Sequence, residues 1–245
     1  GISSGILCWK LLHAKEGLRL QLSKLHPEGV LLKNIIKIGL PAGIQGMVFS
    51  ISNILIQAAI NSLGSDAMAA SAAAFTIEIN VYCFLNAFAQ ATTTFVSQNY
   101  GAGNMARCLM ATKRGLMLAL GSTMGMAALV LLLSQQLLGF FNPDVNVIAL
   151  GTGRLWYIVA PEFLQVFIDV FSGALRGYGY SLGPAILTLV GICGVRIIWL
   201  YSVFAVYSTY YVLMACYSIS WLVTGAMIVG LYLHYRGKIL GASAK

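Results

Sequence analysis

The 245-residue chain is too apolar for an ordinary soluble protein: 59% of its residues are hydrophobic and 9% are charged. A soluble domain usually carries about 25% charged residues. The net charge of +8 does not indicate a nucleic-acid partner, because most basic residues lie between the apolar segments, where they report membrane topology. The composition therefore predicts an all-α, polytopic membrane protein in the lipid bilayer.

The chain opens with an apolar stretch that begins at Gly1 and has neither a charged leader nor a cleavage site. We therefore expect residues 1–12 to be the end of a preceding transmembrane helix. Residues 13–33 alternate leucine with basic residues and include Pro27. This segment is predicted to be a cytoplasmic linker, either a short amphipathic helix on the inner membrane surface or a solvated connection.

Six apolar segments follow, at 34–62, 68–99, 110–138, 145–178, 182–207 and 210–235. Each is long enough to cross ~30 Å of hydrocarbon at ~1.5 Å per residue. Uninterrupted apolar runs such as Met124–Leu133 exclude barrel strands, which alternate polar and apolar residues. The sequence predicts a six-helix transmembrane lobe over 34–235 and a tail at 236–245.

The basic residues alternate between the connections of these helices. Thirteen of the fifteen Lys and Arg residues fall in segments that would share one side of the membrane, and the exceptions are Arg154 and Arg196. The intervening connections 61–66, 140–145 and 207–211 contain none. The positive-inside rule predicts that residues 10–37 and the C-terminus are cytoplasmic and that the lobe lies in the inner or plasma membrane.

The residues needed for conventional catalysis are scattered. The five cysteines are widely spaced and form no CxxC motif, and the three histidines lie in polar flanks. Neither a metal site nor a Ser/His/Asp arrangement can be assembled from local spacing. We expect no enzyme and no cofactor.

Four charged residues fall inside predicted spans: Glu78, Glu162, Asp169 and Arg196. A charge near the membrane centre costs at least ~2.5 kcal/mol, so each requires a partner or a function. Glu162 and Asp169 are two helical turns apart and are predicted to form two stations on one aqueous path. Alternatively, Arg196 neutralises one acid in a fixed ion pair. Arg154 is expected to extend to the membrane interface.

Polar residues recur at steps of four on two of the predicted helices. One row comprises Glu78, Tyr82, Asn86, Gln90 and Thr94, and the other comprises Asn53, Gln57 and Asn61. The rows predict either a substrate pathway or ordinary hydrogen bonding between helices.

Pro161 immediately precedes Glu162 within the fourth predicted span. Its ring removes a backbone donor and frees the carbonyl of Tyr157, which predicts a kink beside a buried acid. A carboxylate and a carbonyl oxygen there would suit a cation, so a Na⁺ site is predicted near Glu162 or near Glu78. Tyr157 and Phe167 are predicted pathway contacts, although aromatic side chains here also fill space.

The stretch SQNYGAG (97–103) resembles a phosphate-binding loop in its glycines alone. It follows a membrane helix and lacks a Gly-Lys-Ser/Thr ending, so this interpretation fails. Either Gly101 or Gly103 is instead expected to take the left-handed conformation that ends a helix, which makes the stretch a structural hinge.

Three motifs, IGLP (38–41), SQNYGAG (97–103) and ALRGYG (174–179), together resemble the multidrug and toxic compound extrusion (MATE) family. The resemblance covers about residues 30–238 and is to the second six-helix lobe of a twelve-helix transporter. It implies a small-molecule organic substrate, exported in exchange for H⁺ or Na⁺, and a missing N-terminal lobe as partner. It also implies that the isolated lobe does not transport.

The chain departs from this family in one respect. Many members carry an acid in the span that begins at GLP, whereas residues 42–60 contain neither Asp nor Glu. Coupling is therefore predicted to fall on Glu78, Glu162 or Asp169. The usual fourth-span acid of the family would fall near Gln165, between the last two.

Other functions remain open. A lipid-linked oligosaccharide flippase of the same superfamily would need a cationic cavity for a pyrophosphate, and Arg196 is the mid-membrane base available. One base against three acids favours organic cations, although the missing lobe could reverse the balance. A non-transport membrane scaffold would not need the buried acids, and a lipid-directed enzyme would need a catalytic constellation.

Overall fold

The computed structural model describes residues 2–14 and 28–243, and all regular structure in these ranges is helical. Contacts divide the chain into two units, Gly1–Lys37 and Ile38–Lys245. The first contains α1 (Ile2–Leu12), and the second contains the site discussed below. The amphipathic segment expected at 13–33 falls mostly on residues 15–27, outside the described ranges.

Helices occupy all six places where the sequence predicts spans. They are α2 (Gly29–Asn61), α3 (Ser65–Gly101), α4 (Met105–Leu132), α5 (Ser134–Gly139), α6 (Val145–Ile158), α7 (Glu162–Gly177), α8 (Leu182–Phe204) and α9 (Tyr210–Ser243). Helices α3, α4, α8 and α9 are each long and apolar enough to cross a membrane. Helices α6 and α7 are long and apolar enough only as a pair, which is bent by 43°. In α2, Gly46–Asn61 is a shorter apolar helix. The protein is an all-α polytopic membrane protein.

Three predicted spans differ in detail from the structure. Helix α2 begins at Gly29, before the predicted residue 34. The third predicted helix, 110–138, is divided at Leu133, where the Ser134 hydroxyl donates to the carbonyl of Leu131 and competes with the helical hydrogen bonds. Helix α8 contains two π-helical stretches, Leu189–Gly194 and Leu200–Phe204, which no local sequence rule predicted.

The packing of α3 against α7 explains one of the sequence motifs. Gly177, in ALRGYG, lies so close to α3 that a Cβ atom there would be 2.8 Å from Val96 Cγ1 and 3.0 Å from the carbonyl oxygen of Thr93. Val96 and Leu175 are fully buried beside it. The glycine therefore permits a helix contact that a larger residue would push apart.

The connection between α3 and α4 is the turn predicted from SQNYGAG. Gly101 is the last residue of α3, and Gly103 has φ = 72°, in the left-handed region. The side chain of Asn104 then caps α4 by accepting a hydrogen bond of 3.1 Å from the backbone N–H of Arg107. The expected left-handed residue is thus Gly103.

Candidate functional site

A cavity of about 730 Å³ lies between α2, α3, α6, α7, α8 and α9. Its walls are mostly aliphatic and aromatic, and Ile54 and Phe75, which line it, are 66% and 52% exposed. The cavity is therefore open on the side formed by α2 and α3. Among its lining residues are three of the four predicted intramembrane charges, Glu78, Glu162 and Arg196.

Glu78 is held by Arg154 in a buried, bidentate ion pair. Arg154 Nε donates to Glu78 Oε1 at 2.7 Å, and Nη2 donates to Oε2 at 2.9 Å. Glu78 is 7% exposed and Arg154 is 3% exposed. The expectation that Arg154 extends to the membrane interface is wrong, because its guanidinium turns inward to a carboxylate on α3.

Glu162 has no such partner. It lies in the first turn of α7, is 3% exposed, and its Oε2 atom is buried without a hydrogen-bond partner among the described residues. The helix N-terminus favours a negative charge there, but weakly compared with an ion pair. The carboxylate is therefore a place where a cation or a proton would be stabilised.

Pro161 lies in the break between α6 and α7, as the sequence predicted. The carbonyl of Tyr157, which lacks a helical donor at this position, accepts a hydrogen bond of 2.7 Å from the hydroxyl of Ser218 on α9. The predicted kink is present, and a side chain of the neighbouring helix satisfies the freed carbonyl.

Arg196 is 3% exposed and has only neutral partners in the described part of the chain. Its Nε donates to Ser220 Oγ and its Nη1 donates to Asn53 Oδ1, both at 3.3 Å. The guanidinium also lies 4.2 Å from the centre of the Tyr217 ring. The alternative in which Arg196 neutralises one acid in an ion pair is not found among these residues, and the ion pair that they do contain joins Arg154 to Glu78.

Asp169 lies two turns beyond Glu162 on α7 but does not line the cavity. Its Oδ2 atom accepts a hydrogen bond of 3.4 Å from Gln165 Nε2, and Gln165 does line the cavity. Gln165 Oε1 is buried and has no hydrogen-bond partner within residues 2–14 and 28–243. Gln165 thus lies between the two acids, at the position where the resemblance placed the usual fourth-span acid.

The cavity brings together only some of the predicted pathway residues. Asn53, Gln57 and Tyr82 line it, whereas Asn86 and Gln90 continue along α3 beyond its lining. Asn86 Nδ2 donates to the Tyr82 hydroxyl at 3.2 Å. Two predicted aromatic contacts are also outside the lining: Tyr157 stacks on Tyr211, and Phe167 stacks on Phe171.

Among the residues of the cavity that sequence reasoning missed are Arg154, Tyr217 and Trp221. Tyr217 and Trp221 are one helical turn apart on α9, and their rings contact edge to face at 6.1 Å. Their helical spacing was a signal that they share a face, but nothing local to α9 indicates that this face borders a cavity.

Comparisons with protein families and curated proteins agree with this architecture. The family model described as MatE matches residues 41–202. The chain is 24% identical over 196 residues to the probable multidrug resistance protein NorM of Thermotoga maritima, covering 80% of this chain and 42% of that protein. It is 29% identical over 171 residues to the multidrug resistance protein PmpM of Pseudomonas aeruginosa, covering 69% of this chain and 35% of that protein.

Solved structures give the same fold over the whole chain. A crystal structure of MATE in the bent conformation matches with a TM-score of 0.84 and 19% identity, covering 100% of this chain and 55% of that one. A MOP superfamily transporter from Pyrococcus furiosus matches with a TM-score of 0.82 and 19% identity, covering 100% and 54%. The chain thus spans about half of these structures and less than half of the curated relatives.

Proposed function

The chain belongs to the MatE family of transporters, and from this premise we propose that the complete protein is a secondary active efflux transporter. It exports organic cations or amphipathic drugs in exchange for H⁺ or Na⁺. The observation that carries the proposal is the carboxylate of Glu162, which is buried beside a large apolar cavity and has one oxygen without a hydrogen-bond partner in the described part of the chain.

An uncompensated carboxylate in a low-dielectric cavity provides the chemistry that exchange requires. The charge is costly there, and either a small cation or a positively charged substrate relieves the cost. If the two compete for one carboxylate, the entry of one promotes the release of the other. Mutually exclusive binding of this kind is the minimum requirement for an antiporter.

The three acids are not equivalent in this scheme. The charge of Glu78 is already balanced by Arg154, whereas Glu162 lacks a cationic partner within 4 Å among the described residues. We therefore assign the coupling role to Glu162. Asp169 is a second station, connected to the cavity through the amide of Gln165.

The walls of the cavity suit an amphipathic cation. Trp221 supplies an aromatic surface, and aliphatic side chains form most of the remaining surface, whereas the rings of Tyr217 and Phe49 already face the guanidinium of Arg196. Aromatic rings attract organic cations through their π faces, and an apolar wall accepts a varied hydrophobic body. The nearby amides of Asn53 and Gln57 offer neutral hydrogen-bonding groups.

The proposal includes the setting of the protein. The complete protein lies in the plasma membrane with its C-terminus in the cytoplasm, as the distribution of Lys and Arg predicts. A second, N-terminal lobe packs against this one and closes the open side of the cavity. The partial coverage of the relatives supports such a lobe.

The experiment is flux through vesicles that contain the purified complete protein. An imposed H⁺ or Na⁺ gradient should drive a fluorescent organic cation across the membrane against its own gradient. Vesicles without protein and vesicles with the gradient dissipated by an ionophore are the controls. Absence of driven flux under both gradients would contradict the proposal.

Arg196 supports a second candidate, a lipid-linked oligosaccharide flippase. Its buried guanidinium borders the cavity with only neutral hydrogen-bond partners, so it could bind a pyrophosphate. The same vesicles separate the two candidates. Translocation of a fluorescent polyprenyl pyrophosphate saccharide without any ion gradient, lost in Arg196→Gln, would favour the flippase.

A further inference from the structure

A second cavity, of about 680 Å³, lies between α4, α7 and α9 and shares no lining residue with the first. We propose that this groove binds an anionic phospholipid, with the acyl chain against its apolar wall and the phosphate against its basic side chains. We call it the α4–α9 groove. Its volume falls within the about 300–1,000 Å³ that is usual for sites that hold small molecules.

The charges of the α4–α9 groove are of one sign. Lys113, Arg114 and Arg236 line it, and its lining contains no Asp or Glu among the residues that the structure describes. All three basic residues are exposed. Three cations without a neighbouring carboxylate in the lining select an anion and, at the edge of a membrane, a phosphate.

The remaining walls are suited to hydrocarbon. Leu116, Met117, Phe171 and Leu233 line the groove beside the basic residues. Met117 and Leu233 are 58% and 55% exposed. Methionine and leucine side chains adapt well to a flexible acyl chain. The groove therefore combines basic side chains with an apolar wall, as a phospholipid combines a phosphate with acyl chains.

The expected depth of Lys113 in the membrane agrees with a bound phospholipid. From Lys113 to the end of α4 at Leu132 the helix rises about 29 Å, at ~1.5 Å per residue. The hydrocarbon core is about 30 Å thick. With the far end of α4 at one membrane boundary, Lys113 lies at the other, at the level of the phosphate groups.

The groove is lined by α4, α7 and α9, whereas the side of the first cavity that we assign to the second lobe is formed by α2 and α3. Asn53, Gln57 and Gln90, on α2 and α3, are exposed and polar, as expected of residues that border a substrate pathway. Apart from the three basic residues, the exposed residues that line the groove are apolar: Met110, Met117 and Leu233. An apolar exposed surface with a basic rim is what a membrane lipid would cover.

The test is lipid retention by the purified complete protein, measured by native mass spectrometry. The probes are phosphatidylglycerol and phosphatidylcholine with identical acyl chains. Each basic residue near a phosphate contributes roughly a fivefold preference, so three predict a preference on the order of a hundredfold for phosphatidylglycerol. Equal retention of the two lipids would overturn the proposal.

Two variants locate the site. Lys113→Gln/Arg114→Gln/Arg236→Gln should abolish the preference, whereas a control that also removes three exposed charges, Lys10→Gln/Lys33→Gln/Arg107→Gln, should retain it. Met117→Trp leaves the charges in place but fills the apolar wall, and it should lower retention of phosphatidylglycerol at least tenfold. Equal effects of the two triple variants, or no effect of Met117→Trp, would overturn the proposal.

A competition experiment separates a lipid from free phosphate. Inorganic phosphate in large excess should leave bound phosphatidylglycerol in place, because it lacks the acyl chain that the groove holds. Displacement of the lipid by inorganic phosphate would show a simple anion site and contradict the inference.

Discussion

Arg154 and Glu78 make two parallel hydrogen bonds with each other, and both residues are buried. Removing one partner leaves the other as a buried, uncompensated charge. We expect Arg154→Met to lower the free energy of unfolding by about 3–5 kcal/mol. The double variant Glu78→Gln/Arg154→Met should recover most of this loss. Denaturant unfolding of the purified protein measures both.

The control for the ion pair is Arg107→Met, which removes an exposed arginine near the α3–α4 turn. Its effect should stay within about 0.5 kcal/mol, as is usual for surface substitutions. If Arg154→Met were no more destabilising than Arg107→Met, the pair would not be an important contact of the fold.

At the scale of helices, the break at Pro161 and its repair by Ser218 form one unit. Ser218→Ala removes the donor to the Tyr157 carbonyl and should lower stability by about 1 kcal/mol. In a Pro161→Ala background, the restored backbone N–H can bond to Tyr157 instead, so Ser218→Ala should then cost little. A double-mutant cycle of unfolding free energies measures the coupling, and strictly additive effects would contradict it.

The contact between α3 and α7 gives a prediction with a matched control. Gly177→Ala places a Cβ against Val96 and should destabilise the protein by about 1–3 kcal/mol. Gly121→Ala, in α4, has no atom within 4 Å of the added Cβ and should be neutral or slightly stabilising, because alanine favours helix more than glycine. Thermal unfolding compares the two variants, and equal destabilisation would refute the close contact.

The sequence predicted these elements to different degrees. The kink at Pro161 and the left-handed glycine in the α3–α4 turn follow from local rules, since proline removes a donor and glycine tolerates positive φ. The partner of Glu78 does not follow from local rules, because Arg154 is 76 residues away in the sequence and contacts Glu78 only when α3 and α6 pack together. Local periodicity likewise could not show that Tyr217 borders the cavity.

At the scale of the whole molecule, polar residues are exposed along the side of the cavity that α2 and α3 form. Asn53 and Gln57 on α2 and Gln90 on α3 are exposed polar residues, and α3 is otherwise apolar enough to cross a membrane. A second lobe would cover them and enclose the cavity. We therefore expect residues 1–245, purified alone and reconstituted, to show no gradient-driven flux of an organic cation. Driven flux by this polypeptide would contradict the need for a second lobe.

The most direct test of the central claim is the coupling of flux to an ion gradient in Glu162→Gln. The amide keeps the size of the side chain but cannot carry the charge that H⁺ or Na⁺ neutralises. In vesicles with equal amounts of folded protein, this variant should still bind the organic cation weakly but lose gradient-driven flux. Glu28→Gln, the same substitution at an exposed residue, should keep it. Unchanged gradient-driven flux in Glu162→Gln would contradict the account.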